Sequence, residues 1–429
     1  MVRELGWMAL VFIAAPVSAE VPYVNFENHP VRALALSPNR QLLAVTHTSD
    51  ARVQLIDVSG DAPLPVGNVM VGTDPVAVQW RNDGELWVVN HLSDSISIVD
   101  VPSRRVTRTL ATGDEPFDVV FAGNKAFVSC SQVNQVQVFD VNALQLAPQV
   151  VAINGEDPRA LAVSRDGSTV YAAIFESGNA STVLAGSFTS INPGIPNAVS
   201  DPRGPYGGRN PPPNRGTTFD PPLNAAATPP RVSLIVKRDA QGRWMDDNNG
   251  DWTAFVSGPQ AAASGRRVGW TLGDRDIAAI RVSDLQVSYT TGLMNIGMAL
   301  AVNPGNGEVT LVGTDARNEV RFEPNINGKF ITVNLARVAA SGKVVSDLNP
   351  HLAGQPATAA PSLRERSLGD PRAIAWNADG SRGYIAGMGS NNVVVIDANG
   401  ARIGQPIRVG EGPVGLALDG ARSRLYVWN

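Results

Sequence analysis

Two imidazoles and one thiol, His47, His91 and Cys130, fall just past the second apolar run of successive sequence repeats. With Met388 at the corresponding place later in the chain, they are soft donors of the kind that hold a transition metal. Asp74, Asp114, Asp157 and Asp370, together with Glu115, Glu156 and Glu411, recur where one repeat passes into the next. On a shared face these two sets make an acidic, polar binding rim. Equivalent atoms on packed sheets stand about 10 Å apart, so the arrangement argues for a docking rim over shared metal ligation. No Ser-His-Asp order, paired catalytic carboxylates at recognisable spacing or phosphate-cradling glycine loop emerges, so no catalytic residue is assigned.

Two further groups carry charge. Asp247, Asn249 and Asp251 place oxygen donors on alternate residues, as a calcium loop begins, but the bidentate glutamate that completes such a loop is missing and a plain acidic turn explains them equally. Arg317, Asn318, Glu319, Arg321 and Glu323 form a dense charged motif, with Arg317 and Arg321 four apart around Glu319. It reads as an internal salt-bridge network holding inserted loops, with pairing to another domain as the alternative. Cys130 is the only cysteine, which excludes an internal disulfide and a Cys-x-x-Cys-His haem site within this chain. No cofactor is therefore expected in the chain itself.

The elements that must position these residues are repeats. A proline, an alanine-rich alternating run, a turn and a second apolar strand recur at Pro30, Pro75, Pro116, Pro158, Pro371 and Pro413, with a proline-free copy near Gly297. Undisturbed spacings are 41 to 45 residues, the length of a four-stranded propeller blade. A third strand follows in Val53–Asp57, Ile96–Asp100, Val136–Asp140 and Val393–Asp397, each ending in an aspartate suited to accept local backbone hydrogen bonds. Blades converge on an axis, so the innermost strand has least room, and Ala33, Ala77, Ala160, Ala299, Ala373 and Gly415 fit there. The spacing predicts an all-β, seven-bladed β-propeller of four-stranded antiparallel blades with the last blade incomplete.

Leu86-Trp87-Val88-Val89-Asn90 and Leu425-Tyr426-Val427-Trp428-Asn429 resemble the Tyr-Val-Thr-Asn repeat of the YVTN-family seven-bladed β-propellers, a likeness covering nearly all of the chain after residue 28. Thr314 to Pro324 is similar to a segment of larger YVTN-type proteins whose propeller is followed by a cytochrome c-like di-haem region. That resemblance implies a redox setting, with haem only in a partner or in a further C-terminal region. His351 stands alone where those larger proteins carry more histidine.

Two gaps in the period hold loop insertions: about 176–274 in blade four and about 336–368 after blade five. The first half of the larger one is too rich in proline and too poor in apolar residues for a core. Its second half, Val232–Val236 and Trp252–Val256, reads as paired strands. The chain stops at Asn429 after the second strand of its last repeat, with Tyr23–Phe26 a candidate closing strand, so it reads as part of something longer or as needing a partner. A net charge of −4 with no basic stripe gives no footprint for nucleic acid.

Residues 1–19 read as a signal peptide: Arg3, an apolar stretch from Leu5 to Val17, then small residues at Val17-Ser18-Ala19. The propeller then occupies 20–429, with no later transmembrane segment and a periplasmic or secreted destination. The reading is an exported docking module, non-catalytic by itself, that serves a periplasmic c-type cytochrome or redox partner. Its rivals are a propeller enzyme at the channel mouth, either a lactonase-like hydrolase or a quinone- or metal-dependent dehydrogenase, and a cell-envelope scaffold. Intact-mass measurement of the exported protein should find a chain beginning at Glu20; retention of Met1 would contradict the leader.

Overall fold

The structure is a computed structural model that describes residues 30–185, 198–199, 201–208, 233–264, 273–317, 331–355 and 359–429. Among these, six four-stranded antiparallel meanders and a terminal hairpin follow one another along the chain. The first three blades are Leu34–Leu36, Leu42–His47, Arg52–Asp57 and Leu64–Met70; then Pro75–Asn82, Glu85–Asn90, Ser95–Asp100 and Arg105–Ala111; then Pro116–Ala122, Lys125–Cys130, Gln135–Asp140 and Gln149–Ala152. Blade four is Glu156–Val163, Thr169–Glu176, Ile277–Arg281 and Val287–Thr290, and blade five Ile296–Val302, Val309–Ala316, Ile331–Ala339 and Gly342–Asp347. Blade six is Pro371–Trp376, Arg382–Gly387, Asn392–Asp397 and Arg402–Arg408, and the hairpin is Gly415–Asp419 with Arg424–Trp428. The innermost strands adjoin in a closed ring, the hairpin lying between blades six and one. This is a β-propeller.

Each blade alternates apolar residues on both faces because each is covered on both sides by a neighbour. Trp87, Ile96, Phe117 and Val128 fill the space between blades two and three, and Val136, Leu161, Ile174 and Ile280 that between three and four. Trp80 and Trp376, at the same place in their repeats, each send an indole N–H back to the preceding blade, to the Ala35 carbonyl at 2.9 Å and the Thr310 hydroxyl at 3.0 Å. The ring closes where Val414, Ala417 and Trp428 of the hairpin meet Ala33, Leu43 and Val45. The third-strand aspartates do what their position predicts: Asp57, Asp100, Asp140 and Asp397 accept the amides of Ser59, Ser103, Asn142 and Asn399.

The larger insertion leaves blade four after its second strand and builds a three-stranded sheet of Ser181–Leu184, Leu234–Arg238 and Trp244–Met245. Leu184, Leu234, Val236, Trp252 and Phe255 form its own core. The expected pairing of Trp252–Val256 with the preceding strand does not occur. Leu234–Arg238 pairs instead with Ser181–Leu184 and Trp244–Met245, and Thr253–Val256 is helical. Buried Asp246 takes the amides of Asn248 and Gly250 and the Trp252 indole, which ends the hairpin and turns the chain into the helix. Blade five also differs, its third strand starting at Ile331 after the charged motif, so residues 336–347 lie in the sheet. Residues 23–26 lie outside the described residues.

At the axis, the alanine position of blade three is Asp118. It is fully buried and accepts a two-pronged bond from Arg32 of blade one, Nε to Oδ1 at 3.1 Å and a terminal nitrogen to Oδ2 at 3.0 Å. The Leu161 amide of blade four also donates to Asp118, at 2.9 Å, and Arg32 donates to the Leu161 carbonyl at 2.9 Å. Burial works against the Arg32 charge, and the charge and hydrogen bonds of Asp118 more than offset it, raising its pKa. Removing one partner of a buried pair strands the other, so Asp118→Ala should cost about 3–5 kcal/mol in denaturant unfolding. The double variant Arg32→Met with Asp118→Ala should recover most of that loss; a single-variant loss under ~1 kcal/mol would show that the pair does not hold the axis.

Candidate functional site

One face of the propeller carries the loops between second and third strands and the connections between blades. At five connections the residue before the proline turns left-handed: Asp74, Glu115, Asp157 and Asp370 have φ of 56°, 52°, 62° and 49°, and Gly412 has a φ of 66° before Pro413. Short acidic side chains tolerate this conformation better than branched ones. The carbonyls of Asp74, Glu115 and Asp370 then accept the amides of His91, Ser131 and Met388 at 2.9 Å. A bulge follows in the first strand after Pro75, Pro116, Pro158 and Pro371, which frees the next side chain from the ladder. Much of the acidic rim is therefore turn chemistry.

The rim residues lie on one face, but most are engaged within it. His47 ends its strand opposite Arg52, bonds Gln54 at 3.1 Å and meets the Trp428 ring edge-on at 5.0 Å. Burial lowers its pKa. The structural equivalents of His47 are Asn90 and Cys130, so His91 sits one residue beyond the column that the sequence aligned. His91 is wholly buried against Phe117, with Nδ1 3.3 Å from the Pro116 carbonyl and Nε2 3.8 Å from Glu115. Burial raises the nearby Asp74 carboxyl, against the pull of His91. Cys130 is buried, and burial pushes its thiol up to about 12, far from the thiolate that a metal requires.

Asp157 pairs with Arg159, whose guanidinium lies 3.6 Å above the Phe175 ring and 4.4 Å above that of Phe117. Asp370 pairs with Arg372 at 2.8 Å. Asp114 is exposed, Glu115 having taken the turn position. Asp251 accepts the Thr253 amide at 2.9 Å, and Asn249 takes a left-handed φ of 69° beside Asp247. Asp246, outside the alternate donor set of Asp247, Asn249 and Asp251, organises that turn. Of the charged motif, Arg317 follows the second strand of blade five, while Asn318, Glu319, Arg321 and Glu323 lie outside the described residues. His351 joins two short helices through the Leu363 carbonyl at 3.1 Å and Ser367 at 3.2 Å. Among the described residues no three His, Cys, Asp or Glu side chains converge as a metal site, and no helix is long and apolar enough to cross a membrane.

The inserted sheet leans over the same face. Lys237 reaches Asp315 of blade five at 2.6 Å, and Asn179 bonds the other oxygen of Asp315 at 2.7 Å. Asn295 ties the root of the insertion down through the carbonyls of Ser177 and Gly178 and the Ser181 hydroxyl. Between sheet and blades lies a cleft of about 680 Å³, lined by Val183, Ile235, Trp244, Ile296 and Ala316 with Glu176, Asp274 and Arg238 at its edges. No sequence signal marked this cleft, because its walls come from segments far apart in the chain.

No family model matches the chain, and no curated protein matches it in sequence. Among solved structures, Kuenenia stuttgartiensis hydrazine synthase is similar over 95% of this chain and 98% of that one, at 16% identity and a TM-score of 0.57. A 6-phosphogluconolactonase-like protein from Bacteroides uniformis is similar over 89% of this chain and 86% of that one, at 12% identity and a TM-score of 0.50. Such low identities establish a shared propeller fold and nothing about activity.

Beside the cleft, the buried carboxyl of Asp276 is pushed up from 3.8 to about 6 by burial, with Asp274 adding to the rise and the amides of Met294 and Leu293 opposing it. A carboxyl that holds its proton more tightly when folded adds stability below its unfolded pKa and loses it as pH rises through the folded one. Unfolding free energy should therefore fall between about pH 4 and 6 by up to about 3 kcal/mol relative to Asp276→Asn. Parallel profiles for the two proteins would contradict this.

Proposed function

We propose that the chain is an exported β-propeller docking module of the YVTN kind, non-catalytic by itself, whose loop face receives a periplasmic c-type cytochrome or similar redox partner. The observation that carries this reading is the bonding state of that face. His47, His91, Cys130, Asp157 and Asp370 are held by neighbours in the fold, while Leu92 is 61% exposed and Val133 44% exposed on the loops of adjacent blades. Exposed apolar tips set among acids such as Asp114 suit a protein surface better than a reaction centre, which needs reactive groups converging on one point. Haem chemistry would then belong to the partner. The rival enzyme reading requires a bound metal or quinone at the mouth, and a cell-envelope scaffold would use the same surface without a redox partner.

The test is titration of the processed chain with the c-type cytochrome domain encoded in frame or beside it, followed by calorimetry. A saturable 1:1 complex that weakens with salt is expected, and Leu92→Asp with Val133→Asp should weaken it by at least about tenfold. Absence of binding at low salt, or binding indifferent to both substitutions, would sink the reading.

A further inference from the structure

We propose that the cleft between the inserted sheet and blades four and five is a binding site for a small organic cation with a flat apolar body. Its volume of about 680 Å³ falls within the roughly 300–1,000 Å³ typical of small-molecule sites. The walls are apolar, and Trp244 offers a ring of the kind that stacks on aromatic groups and attracts cations. The edge is acidic. Glu176 stands directly opposite Glu156 across the first ladder of blade four, an arrangement of like charges that destabilises a sheet unless something relieves it. Asp274 lies on the next strand's approach to the same edge and also lines the cleft.

Among the described lining residues the acids Glu176 and Asp274 face a single base. Lys237 is committed to Asp315, and Arg238, the one base among the described lining residues, lies 5.9 Å over the Trp244 ring. A ligand carrying a cationic group would neutralise Glu176 and Asp274 while its apolar body covers Val183, Ile235 and Ile296. A bare metal ion fits less well, since no three carboxylate, imidazole or thiolate groups converge among the described residues. This site lies apart from Leu92 and Val133 and stands independently of the docking reading.

Fluorescence titration with two aromatic probes of opposite charge separates the outcomes: the cation thioflavin T and the anion 1-anilinonaphthalene-8-sulfonate. Thioflavin T should bind at one site per chain, more tightly than the sulfonate. Glu176→Gln and Asp274→Asn should each weaken it by up to about tenfold, and Trp244→Leu should weaken both probes. The melting curve of Glu176→Gln should match or exceed the parent, because Glu176 faces Glu156 across the ladder, and Asp274→Asn, which keeps an oxygen for the Gly292 amide, should melt close to it. Equal or tighter binding of the sulfonate, thioflavin T affinity unchanged in both carboxamide variants, or no binding of either probe would overturn the proposal.

Discussion

The blades of this molecule are constrained first by the crowding of their axis. Inner strands meet there with room for little more than a methyl group, as Ala33, Ala77, Ala160, Ala299, Ala373 and Gly415 record. At Gly415 an added Cβ would come within 2.3 Å of the Leu34 side chain. Asp118 is the one charged residue in that ring of small ones, and it survives because Arg32 and the Leu161 amide satisfy it. A small cavity of about 50 Å³ lies beside the pair, lined by Ala160, Ala299, Ala373 and Gly415 of the same ring.

That crowding explains how the loop face is built. To bring the first strands of blades two, three, four and six to the axis, the chain makes a left-handed turn before a proline and a bulge after it, and the turn holds Asp74, Glu115, Asp157 and Asp370. The freed position after the proline holds Phe117 in blade three and Arg159 in blade four, which stack on one another and lock His91 beneath. An acidic rim therefore arises from backbone geometry first. What remains open to a partner is the set of loop tips, and the insertion anchored by Asn295 and Asp315 adds a cleft to the same face.

The fold was legible because its constraints are local and repeated: a period near 42 residues, alanines at the axis and aspartates that close third-strand turns. The site was less so. Register moved His91 out of the column of His47 and Cys130, a one-residue shift that sequence alignment of short strands does not resolve. Asp118 does carry a sequence signal, a charge standing where every other repeat has alanine or glycine. Asp246 stands beside Asp247, Asn249 and Asp251, whose alternate spacing is the more conspicuous signal, and Trp252–Val256, apolar enough for a strand, is helical from Thr253, with Trp252 in a core with Phe255. The cleft could not be read at all, since it depends on how Lys237 meets Asp315, 78 residues away.

The central claim is that the chemistry associated with this propeller belongs to a partner. An ultraviolet–visible absorption spectrum of the purified, processed chain, taken together with metal analysis by mass spectrometry, tests it most directly. The account predicts a colourless protein with substoichiometric transition metal. A cofactor band or one equivalent of bound metal would contradict it and return His47, His91 and Cys130 to the centre of a reactive site.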